Sequence, residues 1–258
     1  MGRLTGKTIV ITGGFGLIGM AFVRGVVDEG GSVIVADLDV NRITSSKYEI
    51  GGSGNEGSVS YVDFDICSQD SIAEFIASTV VSNGRIDALV NAAYPRNKSF
   101  GARFEDVEYE SFCENVNLHL GGYFLTTQKF AEYFATVGSG NVVTIASIYG
   151  LVAPRFDVYE GTDMTCSIEY SAIKSGLIHM SRYLAHYYKG KNVRFNCISP
   201  GGIFDNQPQS FVDAYNSYGM TKGMLNSQDL VGALVFLLSD ESAFVNGQNL
   251  VVDDGWTL

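Results

Sequence analysis

Along the chain, short runs with apolar residues on both sides of a pleat alternate with longer stretches whose apolar residues recur every three or four positions. The runs Thr8–Thr12, Val33–Ala36, Val59–Phe64, Ala88–Asn91, Val142–Ala146, Val193–Ile198 and Leu250–Val252 are rich in Val and Ile. Continuous apolar runs of this kind suit strands covered by helices on both faces, so they predict a seven-stranded parallel sheet. The intervening stretches Leu17–Glu29, Ser68–Ser82, Glu108–Phe134, Glu169–Tyr188 and Ser227–Leu238 have the length of crossover helices. Right-handed crossovers then give a doubly wound α/β fold, one domain over residues 1–258. Three stretches break the rhythm: Gly51–Ser58, Leu151–Ser167 and Gly201–Leu225. The first reads as a surface turn. The other two exceed ordinary connections, which predicts an insertion at 151–167 and a substrate loop or lid at 201–225.

Composition narrows the classes. With 46% hydrophobic residues, 17% charged and 4 prolines in 258, the chain is neither disordered nor fibrous. Its longest uncharged apolar candidate, Leu230–Leu238, is half of the roughly 18 residues that a membrane helix needs. The opening MGRLTGKTIVITGG lacks the apolar segment of an export signal, so a cytoplasmic protein is expected. A net charge of −11 opposes attraction to nucleic acid or to an anionic membrane. Cys67, Cys113, Cys166 and Cys197 form no CxxC pair, so neither a disulfide framework nor a metal site is expected. His119, His179 and His186 have no acid or nucleophile at diagnostic spacing and read as structural.

The first strand runs into Thr12-Gly13-Gly14-Phe15-Gly16-Leu17-Ile18-Gly19, after which a helical pattern begins. Glycines at 14, 16 and 19 give GxGxxG, and its place between strand and helix makes it a pyrophosphate cradle. Asp37 ends the second strand, 18 residues after Gly19, where a carboxylate accepts from both adenosine ribose hydroxyls. NAD is therefore expected over NADP, with Asp39 competing for the role and Arg42 softening the preference. Asp65, after the third strand, could reach the adenine edge.

Tyr170 and Lys174 stand four residues apart on one helix face. A free phenol titrates near ~10, and a nearby ammonium or oxidised nicotinamide favours its phenolate, so the tyrosine becomes a base nearer neutrality. A second YxxxK copy, Tyr187 and Lys191, reads as helix-end surface. Ser147 ends the fifth strand, at the carboxyl edge where open α/β sheets hold their sites, and can donate to a substrate oxygen. Asn117, in ENVNLHLGG, supplies an amide that could hold a water against Lys174. A GxSxG elbow is missing from the sequence, which argues against a hydrolase.

TGGFGLIG, Asp37, LVNAAY, Asn117, Ser147, Tyr170-xxx-Lys174 and Ser199-Pro200-Gly201 occur in an order that resembles the short-chain dehydrogenase/reductase family over essentially the whole chain. The resemblance implies a single Rossmann domain, hydride transfer to or from nicotinamide, and a tetramer or dimer built on the long helices. It implies Tyr170 as general acid/base, Ser147 polarising the substrate oxygen, Lys174 binding the nicotinamide ribose, and Asn117 maintaining a proton relay. Cofactor contacts would come from Gly13, Gly14, Phe15, Gly16, Leu17, Ile18, Gly19, Asp37, Asp65, Ile66, Asn91, Ala92, Ala93, Pro200, Gly201 and Ile203. Three departures stand out: glycine spacing like that of extended members, Asn91-Ala92-Ala93-Tyr94 in place of NNAG, and a Ser147 to Tyr170 interval of 23, longer than is usual. More narrowly, AYPRNKSFG, NVNLHLGGYFLTTQ, IASIYGLVAP, SPGGIFDNQP and VNGQNLVVDDGWTL resemble flagellin-modification dehydrogenases of bacterial legionaminic-acid synthesis. That implies a hexose or amino-sugar substrate, phosphorylated or free.

Arg96, Lys98 and Arg103 crowd into eight positions after the fourth strand, and with Arg155 they form a candidate phosphate clamp beside Tyr94. Phe204, Phe211, Tyr215 and Tyr218 suggest an aromatic lid, with Asp205, Asn206 and Gln207 placed to meet sugar hydroxyls. Trp256 is a candidate for a subunit interface. The competing readings are a reductase of apolar steroid or acyl ketones, an epimerase or dehydratase using transient oxidation, and a dinucleotide sensor without chemistry.

Overall fold

The computed structural model describes residues 2–38 and 57–258; Asp39, Arg42 and most of the Gly51–Ser58 stretch lie outside the described residues. Seven parallel strands, β1 (Thr8–Thr12), β2 (Ser32–Asp37), β3 (Val59–Asp63), β4 (Ala88–Asn91), β5 (Gly140–Ile145), β6 (Val193–Pro200) and β7 (Asn249–Val252), form one sheet in the order β3-β2-β1-β4-β5-β6-β7. Every neighbouring pair is parallel. The winding reverses between β1 and β4, and the crevice outside the strand ends at such a reversal is where doubly wound folds bind ligands. This is the Rossmann-type sheet that the sequence pattern predicts.

Helices α1 (Leu17–Asp28), α2 (Gln69–Asn83), α3 (Tyr109–Val116), α4 (Gly122–Val137), α5 (Ile168–Tyr187), α6 (Gln209–Asn216) and α7 (Val231–Leu238) flank it. On one face Phe22 and Val26 of α1 pack with Leu234 and Val235 of α7 against Ile9, Ile11 and Val90. On the other, Phe75 of α2, Phe130 and Phe134 of α4 and Leu177 of α5 cover Val10, Leu89 and Val142. The five central strands, β1, β2, β4, β5 and β6, are buried on both sides, which is why their sequences read as continuous apolar runs, while the edge strands β3 and β7 stay partly exposed.

Two expectations change. The stretch Glu108–Phe134 is not one α-helix: five residues, Asn117–Gly121, form a π turn between α3 and α4, with the Gly122 N–H bonded to the Asn117 carbonyl. Residues 201–225 contain a helix, α6, whose Phe211 and Tyr215 are buried with Ile148 and Trp256 in a small cluster of their own. Trp256 is 1% exposed and its indole N–H bonds the Tyr215 carbonyl, so it braces the 201–225 segment instead of facing a partner. No helix among the described residues is long and apolar enough to cross a membrane.

Candidate active site

A cavity of about 590 Å³ opens at the carboxyl ends of β1, β4, β5 and β6. Gly16, Leu17, Ile18 and Gly19 line it on one side, Ala92, Ala93 and Tyr94 beside them, Ser147, Tyr170 and Lys174 at the floor, and Pro200, Gly201 and Ile203 opposite.

The turn after β1 is shaped by close backbone approach. Gly13 has φ +66°, and a Cβ there would lie 2.5 Å from the Ala93 Cα, so no side chain fits between the ends of β1 and β4. Gly14 packs against Val35, where a Cβ would come within 2.7 Å of a methyl group. Gly16 caps α1 without a side-chain hydrogen bond, which leaves first-turn N–H groups free to meet an anion. Phe15 is buried and stacks on Tyr61 of β3 at 5.7 Å. The carboxylate of Asp37 closes the turn: Oδ2 accepts from the Phe15 N–H at 3.2 Å and Oδ1 from the Leu38 N–H at 2.9 Å. These residues fit a dinucleotide: a glycine-walled cradle for the pyrophosphate and a carboxylate beside it for the adenosine ribose.

Other expected cofactor positions divide. The Ala92 and Ala93 N–H groups are held by the Thr12 hydroxyl at 3.2 and 3.4 Å, and the Tyr123 hydroxyl bonds the Ala93 carbonyl, so AlaAla is kept in place without the usual second Asn and Gly. The Asn91 side chain does not reach the cavity; it is fully buried and donates to Thr127 and Thr144, tying β4 to α4 and β5. Asp65 spends one oxygen on the Cys67 N–H. Ile66 is buried in the core below α4.

Ser147 follows β5 with its side chain buried, and its hydroxyl accepts from the Tyr149 N–H at 3.2 Å. Tyr170, in the first turn of α5, shares the cavity wall with Ser147. Burial and the neighbouring Tyr94 push the phenol above its ordinary range, while the Ser147 hydroxyl pulls it down. Lys174, one turn along α5, is 4% exposed. Its Nζ donates to the Ile145 carbonyl at 2.9 Å and lies 5.5 Å from the Tyr170 ring centre. Burial without a carboxylate partner lowers its pKa to about 7.

The fourth expected member is elsewhere. Asn117 is exposed on the π turn and does not line the cavity. His119 is 1% exposed, and its Nε2 lies 3.4 Å from the Lys174 Nζ. Side chains two residues apart on a helix face different ways, so only one of the two can look inward. The inward set is legible in the sequence: stepping back along the helix from Phe134, by fours with a single step of three, passes Phe130, Thr127, Tyr123, His119 and Asn115, all buried. His179 and His186 are exposed, as are Tyr187 and Lys191 of the second YxxxK copy.

The expected basic clamp is dispersed. Arg96 lines the cavity, with its guanidinium 4.9 Å from the Tyr94 ring centre. Its segment is pinned by the Asn97 N–H on Asn115 Oδ1 at 3.0 Å. Lys98 is exposed outside the cavity, and Arg103 lines a separate groove beside Leu151, Phe156 and Ser171. Arg155 lies over Tyr218 and Trp256, at 4.2 and 5.1 Å, and so is committed to bracing the 151–167 segment against 201–225. The hydroxyl of Tyr218 donates to Asp157 across the same seam.

Asp205 and Gln207 line the cavity, whereas Phe204 is 45% exposed and lies outside it. The 201–225 segment is fastened at its far end, where Asp254 accepts from the N–H groups of Thr221, Lys222 and Gly223 at 2.7 to 2.8 Å. Those bonds hold its carboxyl well below the usual range.

Several lining residues escape sequence reasoning: Phe100, Tyr149, Tyr159, Met164 and Cys166. Tyr149 and Tyr159 bond hydroxyl to hydroxyl at 3.3 Å, and burial pushes Tyr149 up to about 12. They reach the cavity because the 151–167 segment folds back over Ser147, a long-range contact without a local signature.

A family model described as enoyl-(acyl carrier protein) reductase matches residues 17–257. Over 256 residues, covering 99% of this chain and 100% of the relative, the sequence is 40% identical to post-translational flagellin modification protein A of Campylobacter coli. It is 31% identical over 263 residues to the 7alpha-hydroxysteroid dehydrogenase of Bacteroides fragilis, covering 100% of this chain and 97% of that one. The crystal structure of a short chain dehydrogenase from Leptospira borgpetersenii with bound NAD+ superposes with a TM-score of 0.84 at 33% identity, covering 99% of this chain and 94% of that one.

Proposed function

From the premise that the chain belongs to the short-chain dehydrogenase/reductase family, an oxidoreductase family that uses a nicotinamide cofactor, we propose that it is an NAD-dependent dehydrogenase of a secondary alcohol on a sugar or amino sugar. The observation that carries the reading is the convergence of Ser147, Tyr170 and Lys174 on one cavity with the glycine turn.

Nicotinamide, when bound, supplies the carbon that takes the hydride from the alcohol, or returns it to the ketone. Ser147 donates a hydrogen bond to the substrate oxygen, and Tyr170 takes that oxygen's proton on oxidation and gives one back on reduction. Lys174 as an ammonium is the chain's own cation facing the phenol; it opposes the upward push of burial and brings the phenolate within reach. Asp37 accepts from the adenosine ribose hydroxyls and would repel a 2′-phosphate, which supports NAD over NADP.

A polar substrate is supported by the lining. Tyr94, Tyr149 and Tyr159 offer flat faces and hydroxyls, Asp205 and Gln207 accept and donate at the rim, and Arg96 is the cation of that rim, placed for a phosphate or carboxylate. The aromatic character of the wall, with Phe100, Phe211 and Met164, favours a second reading, reduction of an apolar ketone, and one relative is a hydroxysteroid dehydrogenase. The segments 151–167 and 201–225 form the lid of the single domain in either case. The exposed Phe124 of α4 and Tyr183 and Tyr187 of α5 support pairing with a second copy, and the acidic chain fits a cytoplasmic role beside glycan-precursor synthesis.

Paired free and phosphorylated hexoses, amino sugars and a steroid panel, each offered with NAD and with NADP, separate the readings. Turnover of sugars with NAD supports the proposal; turnover confined to steroids or acyl ketones replaces it with the second reading.

A further inference from the structure

His119 meets the lysine of the site, and the chemistry derived above gives it no task. It sits in the π turn between α3 and α4, 1% exposed, with Nε2 3.4 Å from the Lys174 Nζ. The other nitrogen, Nδ1, is buried without a hydrogen-bond partner among the described residues. The ring packs edge-on against Tyr94, 5.4 Å away, and Tyr123, 4.9 Å away, so it is fixed in the wall behind the site.

We propose that His119 is the positioning residue of Lys174 and the outlet for its proton: Nε2 accepts from Nζ, and Nδ1 passes a proton on to water. The inference rests on the dehydrogenase reading above, because it concerns the charge that Lys174 carries beside Tyr170. An ammonium only donates, so Nε2 must be the acceptor and the proton of the neutral ring must sit on Nδ1. When Nζ gives a proton to Nε2 and Nδ1 releases its own, Lys174 becomes a neutral amine. The ring stays neutral in its other tautomer, and one proton reaches water. The reverse sequence recharges the lysine.

A side-chain amide at the same place accepts the bond equally well but cannot pass the proton on, which is what separates an imidazole from an amide here. Lys174 from α5 is the charged group acting on the ring, with Tyr94 and Tyr123 the titratable groups packed on it from the segment after β4 and from α4. Burial and Lys174 hold the imidazole well below its ordinary pKa, so it works as a neutral ring. Burial lowers the lysine to about 7, so it gives up and regains its proton near neutral pH.

The test uses the full chain. Nitrogen-15 NMR of the three histidines in the cofactor-free protein, with His119→Gln to assign the signal, reads the tautomer directly. The expected result is a neutral ring at pH 6 with its proton on Nδ1. Steady-state kinetics follow on His119→Gln, whose amide oxygen reaches towards the Nε2 position. The KM for NAD should stay within about 3-fold while kcat falls roughly 100-fold, the lower end of the range for lost proton transfer. Small buffer acids should restore part of that loss, and the pH profile should move. His119→Leu should raise the KM for NAD as well, because Lys174 then keeps only the Ile145 carbonyl as an acceptor.

A proton on Nε2, or a His119→Gln variant with unchanged kcat and pH profile, overturns the proposal. The tautomer is read without cofactor or substrate. Failure at His119 is therefore distinguishable from failure of the dehydrogenase reading, which would show as no NADH from wild type with any alcohol, or as full turnover by Tyr170→Phe.

Discussion

Replacing Lys174 by Met should stabilise the cofactor-free protein while abolishing turnover. The side chain is 4% exposed and its pKa falls from 10.5 to about 7, with desolvation as the leading cause. Because the folded value lies below the unfolded one, the unfolded chain binds more protons between those two pH values, and stability rises with pH across that window. Below about 7 both states carry the ammonium and the folded protein bears the full penalty, at most ~5 kcal/mol at about 1.4 kcal/mol per pKa unit. Methionine fills similar volume without the charge, but the Ile145 carbonyl and the more distant His119 Nε2 then lose their donor, at a combined cost of ~2–4 kcal/mol. The net gain at pH 6 is about 1–3 kcal/mol, which for a chain of this size raises the melting temperature by roughly 2–12 °C. Thermal unfolding of both proteins from pH 6 to pH 9 isolates the effect, since groups other than Lys174 cancel in the difference. The advantage of Met should be constant below pH 7 and then narrow by about 1.4 kcal/mol per pH unit. A variant no more stable than wild type at pH 6, with a difference that does not change with pH, would refute the reasoning.

Asp37→Ala should weaken NAD by roughly 10- to 100-fold, the factor of lost hydrogen bonds to a charged acceptor, and narrow the gap to NADP; fluorescence titration of both cofactors measures it. Gly13→Ala places a Cβ 2.5 Å from the Ala93 Cα at a φ of +66°, so a loss of about 2–5 kcal/mol in denaturant unfolding, with weakened NAD binding, is expected. Arg96→Ala should raise the KM of a phosphorylated substrate about 10-fold or more and leave its unphosphorylated partner within about 2-fold, as expected for one charge-assisted contact. Equal effects on both members of the pair would remove Arg96 from anion recognition.

The strands were legible because a parallel sheet buried on both faces leaves uninterrupted Val and Ile runs, and β1 and β4 fall on their predicted residues. The glycine turn, Asp37, Ser147, Tyr170 and Lys174 were legible because their spacing is local, set by one turn or one strand end. Residue type alone points to Asn117, whereas helical phase points to His119, and phase decides which side chain faces inward. The buried stripe through Asn115, His119, Tyr123 and Phe130 gives the inward face from periodicity alone. The basic clamp failed for another reason. Closeness in sequence within an irregular segment does not fix direction, and Arg96, Lys98 and Arg103 point to three different surroundings. Arg155 and Trp256 are committed to each other across the seam of two long segments, a pairing between residues that no local pattern announces.

The most direct test of the central claim is NADH formation by the purified chain with NAD and a sugar alcohol, run in parallel on wild type and Tyr170→Phe at equal cofactor occupancy. Wild type should turn over steadily and the variant not above background, because phenylalanine keeps the ring but has no hydroxyl to take or give a proton. Equal rates in the two proteins, or bound NAD that never becomes NADH with any alcohol offered, would contradict it.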